Sequence, residues 1–229
     1  MDISYQINLA LKEFSNGNKN LAYKKLKNIF KKDKQNDLLR FNIAVIEQSL
    51  NFNELAKNNY KYLINTKLKI KAMVNLYLTY IKEDNFKTAL FYINELISFS
   101  VIDANIIKDQ AFVLYKLKRN DESIKVCKKY LTNNNDLDFI NILGLNYFSI
   151  NDLKKAESIF KKGLEVEKEN PNLLNSLGRL YHESRDSRNA EKYLLKAYKI
   201  KNDSYEITNN LAGYYREEGK YKKAIELYN

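Results

Sequence analysis

A 34-residue repeat runs through this chain and constrains its fold more than any other feature. Alanine, leucine and tyrosine each recur at that spacing in the C-terminal half, and gaps of 33 or 34 extend the pattern back to Ala10 and Ala22. A shared period marks a supersecondary unit that buries its apolar face only by stacking on its neighbours. The three columns are Ala156, Ala190 and Ala224; Leu143, Leu177 and Leu211; and Tyr147, Tyr181 and Tyr215.

Each unit is predicted to be a pair of helices. Leu177, Leu180 and Tyr181 follow helical spacing, and a polar break separates them from a second periodic segment that begins near Ala190. Asn and Asp in such breaks favour helix starts because their side chains accept backbone N–H bonds. The chain has 6 Gly and 1 Pro in 229 residues, which excludes a turn-rich β-sandwich or barrel. The predicted units are approximately 3–36, 37–69, 70–103, 104–136, 137–170, 171–204 and an incomplete 205–229.

The pattern within a unit resembles the tetratricopeptide repeat family. That family places a large residue, Leu-Gly, Tyr, Ala, an aromatic and a small residue at fixed positions. The resemblance implies an all-α fold, a right-handed α-solenoid of about seven helix-turn-helix units. Four positions depart from the pattern: Glu13 and Glu47 stand where Tyr is expected, Tyr77 at a small position, and Gln110 at a Leu position. The matching residues of the fifth unit are Ile140, Leu143, Gly144, Tyr147, Ala156, Phe160 and Gly163.

The resemblance also implies a concave groove, lined by the first helices, that binds another protein or a peptide. Asn141, Asn175 and Asn209 lie 34 residues apart at one groove position. Because an amide carries both donors and an acceptor, a ladder of amides can bind an extended peptide backbone of any sequence. Towards the N-terminus the groove positions are apolar. The remaining candidate binding residues are Asn172, Arg179, His182, Asn210 and Arg216, with Phe41, Phe112 and Tyr115 in the apolar part.

The composition bears on catalysis and on partners. Cys127 and His182 are the single Cys and His, so a disulfide framework, a Cys/His zinc site and a His-dependent triad are excluded. No phosphate-binding loop or nucleophile motif is present, and we therefore expect no catalysis, no cofactor and no metal site. The net charge of +11 divides evenly, +6 in residues 1–115 and +5 in 116–229. Two alternatives to a protein-binding scaffold stay open: nucleic-acid binding, and a docking or regulatory part of a larger enzyme.

Two further expectations concern location and association. No targeting segment and no apolar run of about 18 residues is visible, so we expect a cytoplasmic protein without a membrane span. The segment from Ala224 to Asn229 ends partway through a predicted second helix. A solenoid end needs a polar cap. The sequence therefore leaves two interpretations: a fragment of a longer protein, which we favour, or self-association through the uncapped C-terminal end.

Overall fold

The structure is a computed structural model that describes residues 3–228. Those residues form 14 α-helices and no strand, paired as seven helix-turn-helix units, which confirms the predicted all-α solenoid class. The first helices of the seven units begin at residues 3, 37, 69, 104, 137, 171 and 205. The helices are α1 Ile3–Ser15, α2 Lys19–Lys32, α3 Asp37–Ser49, α4 Asn53–Leu63, α5 Lys69–Lys82, α6 Phe86–Ser98, α7 Ala104–Lys116, α8 Asn120–Leu131, α9 Leu137–Ser149, α10 Leu153–Val166, α11 Pro171–Glu183, α12 Ser187–Ile200, α13 Tyr205–Glu217 and α14 Tyr221–Glu226.

Side-chain caps start many of these helices where the sequence indicates. Asn170 accepts a hydrogen bond from the backbone N–H of Leu173 at 3.1 Å, and Pro171 occupies the first helical position. Asp136 caps α9 by accepting from Asp138 and Phe139. Each bond satisfies a helical N–H that has no partner within its helix. Five more helices are capped in this way, by Asn36, Asn85, Asp152, Asp186 and Ser204.

One residue with a left-handed backbone conformation lies at the turn between the two helices of every unit. The backbone N–H of the following residue bonds to a carbonyl five positions earlier, as in Asp186 N to Tyr181 O at 2.9 Å. This is the Schellman arrangement, which ends a helix at a residue with positive φ. Two of the seven positions are glycine, which adopts that conformation without strain. The column is Gly17, Asn51, Asp84, Lys118, Asn151, Arg185 and Gly219.

The helices divide into two compact units, Met1–Ile106 and Ile107–Asn229. In the first, α1 to α6 pack in chain order around buried Leu26, Leu39 and Tyr60. In the second, α8 to α14 pack in chain order around buried Phe139 and Phe160. The assignment of residues 3–229 to one solenoid domain stays a prediction.

The repeated small positions lie where helices approach closely. The column from Ala22 to Ala224 is at most 7% exposed. At Gly144 an added Cβ would overlap the Phe160 ring, and at Gly178 it would stand 2.9 Å from the backbone nitrogen of Leu194. The period therefore reflects the places where a side chain would separate two packed helices.

A buried polar cluster replaces the expected tyrosine in the second unit. Glu47 is 0% exposed, and its carboxylate accepts from the Tyr23 hydroxyl at 3.0 Å and from the Asn59 amide at 2.7 Å. A buried carboxylate needs such donors because its charge is costly to remove from water. Glu47 is one of the four positions at which the sequence departs from the repeat pattern.

Candidate functional site

A groove of about 380 Å³ runs along four first helices of the second compact unit. At the small-residue positions each first helix packs against the second helix of its own hairpin. A different face of each first helix lines the groove. Residues of α7 form its apolar end, α9 and α11 provide most of its floor, and α13 adds one residue. Its lining is Phe112, Tyr115, Lys116, Asn141, Ile142, Leu145, Asn172, Asn175, Ser176, Arg179 and Glu206.

Six residues predicted from the sequence thus come together in one place. Asn141 and Asn175 form the centre, and Asn172 and Arg179 are their neighbours on α11. The other two, at the apolar end, are Phe112 and Tyr115.

The amide ladder also joins successive units. The Asn141 Oδ1 accepts from the Ser176 hydroxyl at 2.8 Å, and the Asn175 Oδ1 accepts from the Asn210 Nδ2 at 3.0 Å. Both bonds connect a residue to another 35 positions later. An amide whose oxygen is engaged still carries two N–H donors. The ladder residues therefore contribute to stacking as well as lining the groove, and Asn175 is only 3% exposed.

Two cations and one carboxylate give the groove its charge. The Arg179 guanidinium lies 4.0 Å from the Glu206 carboxylate and 5.8 Å from the centre of the Phe148 ring. Lys116 lies over the Phe112 ring at 5.6 Å. The Arg179–Glu206 distance is long for a charge-assisted hydrogen bond, which is usually below 3 Å. The Glu206 carboxylate therefore neutralises the charge of the Arg179 guanidinium only in part.

Four other predicted residues lie outside this groove, although in the same compact unit. Asn209 is exposed and accepts a hydrogen bond from the Tyr228 hydroxyl at 2.7 Å, while Asn210 donates to the Oδ1 atom of Asn175. The Arg216 side chain is 70% exposed and 4.0 Å from Glu217.

His182, the fourth, belongs to a separate polar depression. Its Nε2 lies 3.2 Å from Oε2 of Glu217, and its ring meets Tyr214 edge-on at 5.4 Å. The depression has a volume of about 420 Å³ and is lined also by Glu183, Arg185, Ser187 and Glu218.

The remaining predicted residue belongs to the first compact unit. Phe41 is half-buried on α3, with its ring 5.8 Å from that of Tyr60. Among the apolar groove positions of this unit, Leu38 is 56% exposed and Leu78 is 36% exposed, whereas Ile7 is buried. The predicted apolar stripe is therefore partly used for packing.

Five groove residues were not predicted: Lys116, Ile142, Leu145, Ser176 and Glu206. Ser176 had a detectable signal, because it stands 34 residues before Asn210, and both donate to an amide of the ladder. Glu206 is one of many charged residues in a chain that is 29% charged, so its sequence position carried no signal.

Two other kinds of site, a metal centre and a membrane span, are absent from residues 3–228. No group of three His, Cys, Asp or Glu residues there is arranged to hold a metal ion. In the same range no helix combines the length and the apolar character needed to cross a membrane. Cys127, which is fully buried, has a thiol whose pKa burial raises to about 12.

Comparison with known proteins places these features in a family. The tetratricopeptide repeat model matches residues 137–170 and 171–204. No curated protein matches the chain. A tetratricopeptide repeat protein from Parabacteroides merdae ATCC 43184 is similar in structure, with a TM-score of 0.66 and 18% identity over 91% of this chain and 82% of that one.

Two further solved structures are similar. PilF of Pseudomonas aeruginosa gives a TM-score of 0.64 at 16% identity, over 92% of this chain and 97% of that one. YrrB, described as a tetratricopeptide repeat protein with an unusual peptide-binding site, gives 0.57 at 18% identity, over 80% and 96%. At these identities the likeness concerns the fold. The family model falls on the fifth and sixth of seven units that share one period and one hairpin fold, so residues 137–204 are tetratricopeptide repeats.

Proposed function

We propose that this chain is a non-catalytic scaffold that binds an extended peptide of a partner protein in the groove along α7, α9, α11 and α13. The observation that carries the proposal is the convergence of amide, apolar and cationic side chains on one concave surface. Peptide-binding sites need this combination, because a peptide backbone must be hydrogen-bonded while its side chains need pockets.

Each part of the groove corresponds to a part of such a ligand. Asn141, which is half-buried, offers amide N–H groups to a backbone carbonyl, and this contact does not depend on the ligand sequence. Asn175, only 3% exposed, supports the site by its bond to Asn210 of the next unit. Phe112 and Tyr115 offer apolar surface for a side chain. Arg179 favours a carboxylate on the ligand, because a guanidinium binds carboxylates in a bidentate manner.

The family supports this proposal in a general way. Tetratricopeptide repeats generally mediate contacts between proteins, and YrrB, which shares the fold, is described as having a peptide-binding site. We further propose that this groove is the binding site, that the chain is not catalytic and that it is cytoplasmic. Self-association through the C-terminal end also stays a prediction.

The test is a selection of peptides from a random library on the purified chain, followed by affinity measurements with the selected peptides. We expect Arg179→Ala to weaken binding of peptides carrying a carboxylate by about tenfold, the effect of losing a charge-assisted hydrogen bond. Arg188→Ala is the matched control, because Arg188 is exposed on α12 and outside the groove lining. Equal affinities for the two variants would contradict the proposal.

A second readout maps the site directly. Nuclear magnetic resonance of the amide side chains should show shifts at Asn141, Asn172 and Asn175 when a selected peptide is added. Shifts confined to the depression around His182 would place the ligand elsewhere and overturn the assignment to the groove.

A further inference from the structure

More than half of the net charge belongs to the first repeat unit. Residues 3–36 hold eight lysines against Glu13 and Asp33, which gives +6 of the total +11. The near-equal charge of the two halves conceals this, because the fourth and sixth units each carry +3, while the third and fifth each carry −1. A general preference for lysine would raise its content in every unit. The concentration in one unit therefore calls for a local explanation.

The structure places most of these lysines on one helix. The 14-residue α2 contains six lysines and no acidic residue. Its apolar side, Ala22, Leu26 and Ile29, is buried. Lys24, Lys27 and Lys31 are exposed on the opposite side, at helical spacings of three and four residues. We call these three residues the α2 lysine face; it extends for about 10 Å along the helix.

Ion pairs leave most of the charge of the α2 lysine face unbalanced. Within residues 3–228, Lys24 and Lys31 form no ion pair, and Lys27 approaches the Glu47 carboxylate only to 3.9 Å. Like charges three or four residues apart on a helix repel each other. Lys31 in the last turn and Lys27 over the Tyr23 ring offset part of this repulsion within α2. Elsewhere in the chain several lysines pair closely with carboxylates.

The fifth unit shows that contrast. In α10, Lys161 pairs with Glu157 at 2.6 Å, and Lys155 pairs with the capping Asp152 at 2.6 Å. Within residues 3–228, α2 thus differs from the other second helices, each of which contains at least one acidic residue.

We propose that the α2 lysine face binds the phosphodiester backbone of a nucleic acid. The complementary ligand is a regular row of negative charges, because the face is a row of positive charges with exposed Asn20 and Asn28 beside it. Lysine and asparagine both contact phosphate oxygens, and such contacts carry no sequence preference. The inference does not depend on the peptide groove, which belongs to the other compact unit.

A membrane surface and an acidic protein fit the face less well. Helices that lie in a membrane insert their apolar side, and in α2 that side is buried against neighbouring helices. A protein ligand would need an apolar anchor at the centre of its interface. The α2 lysine face contains none.

The experiment measures binding of a fluorescent single-stranded RNA of about 20 nucleotides, long enough for one site, over a series of salt concentrations. The test variant is Lys24→Gln/Lys27→Gln/Lys31→Gln. The matched control is Lys192→Gln/Lys199→Gln/Lys201→Gln, which removes the same charge from exposed lysines of the sixth unit. A third variant changes the three face lysines to arginine, and circular dichroism compares the helix content of all proteins.

We expect the wild-type chain to bind, with affinity falling as salt rises. The test variant should lose about two units from the slope of log K against log salt, and at least about tenfold in affinity at low salt, because three phosphate contacts are lost. The control should change affinity less than about twofold, within ordinary variation for a surface substitution, and the arginine variant should retain binding.

Several outcomes would overturn the inference. Equal losses in the test and control variants would show that binding follows total charge. No binding at low salt, or a test variant that binds as well as wild type, would remove the site. Vesicles of phosphatidylserine or polyglutamate that bind more tightly than the RNA, through the same lysines, would assign the face to another class of partner.

Discussion

The hydroxyl of Tyr23 donates to Glu47 at 3.0 Å, and the hydroxyl of Tyr181 donates to Glu157 at 2.7 Å, with donor and acceptor exchanged between equivalent positions. In the first pair the tyrosine lies on the second helix of one unit and the glutamate on the first helix of the next. In the other pair the order is reversed. Each pair spans 24 residues, so one inter-unit contact is built in two ways.

This exchange predicts unequal effects of removing the hydroxyl. Tyr23→Phe should lower the free energy of unfolding by about 2 kcal/mol, because the partner carboxylate is buried and cannot be rehydrated. Tyr181→Phe should cost less, about 1 kcal/mol, because the Glu157 side chain is 34% exposed and keeps its ion pair with Lys161. Urea unfolding of the two variants checks this, and a larger loss for Tyr181→Phe would contradict it.

The same contacts predict alkaline instability. Burial, followed by the nearby carboxylate, raises the pKa of Tyr23, Tyr181 and Tyr215 to about 12. In the unfolded chain the tyrosine pKa is about 10. Since the folded pKa is the higher one, the stabilisation is complete below about pH 10 and is lost as the pH rises towards about 12.

Urea unfolding at several alkaline pH values, with tyrosinate absorbance recorded in parallel, tests this expectation. The free energy of unfolding should fall steeply over that range, and part of the absorbance change should accompany loss of helix. Complete ionisation of the tyrosines near pH 10, while the helices stay intact, would contradict the raised tyrosine pKa values.

Two glycines provide an opposed pair of stability predictions. Gly178→Ala should destabilise by about 1–3 kcal/mol, because the new Cβ meets backbone of Leu194 that cannot move aside. Gly213→Ala should stabilise by about 0.5–1 kcal/mol, because open space surrounds this position in the interior of α13. Thermal or urea unfolding of both variants tests this pair of predictions. If both substitutions changed the free energy of unfolding in the same direction, the result would be inconsistent with the packing.

The turn column predicts a stabilising substitution. Lys118 has φ of 61° at the position where Gly17 has φ of 87°. Lys118→Gly should raise the free energy of unfolding by about 0.5–1 kcal/mol, because glycine adopts left-handed backbone without steric cost. Gly17→Ala is the reciprocal control and should lower it by a similar amount. Unfolding measurements that find Lys118→Gly destabilising would show that the lysine side chain contributes more than its backbone strain costs.

Local features of the fold were predictable because a single unit contains their cause. The column of small residues marked the close helix contacts, and Asn or Asp in the polar breaks marked the starts of three second helices, α6, α10 and α12. The Glu47 cluster was visible only as a departure from the pattern. Its donor Tyr23 lies 24 residues earlier on a different helix, and no local spacing connects the two.

The groove was partly predictable for the same reason. A periodic position identified Asn141 and Asn175, because equivalent residues of stacked helices lie on one surface. Their bonds to Ser176 and Asn210 were not predictable, since they depend on how far one helix is offset from the next. The charge of the first unit was hidden for a different reason: a comparison of two halves summed it with units of smaller net charge.

The two ladder bonds have a mechanical consequence. Each joins a residue to its neighbour 35 positions on, one more than the repeat, so together they fix the register of α9 on α11 and of α11 on α13. Sliding either helix by one turn, about 5.4 Å, would break the bond. A peptide bound across Asn141 and Asn175 would hold the same helices together. This end of the solenoid should therefore resist stretching more strongly when the peptide is bound.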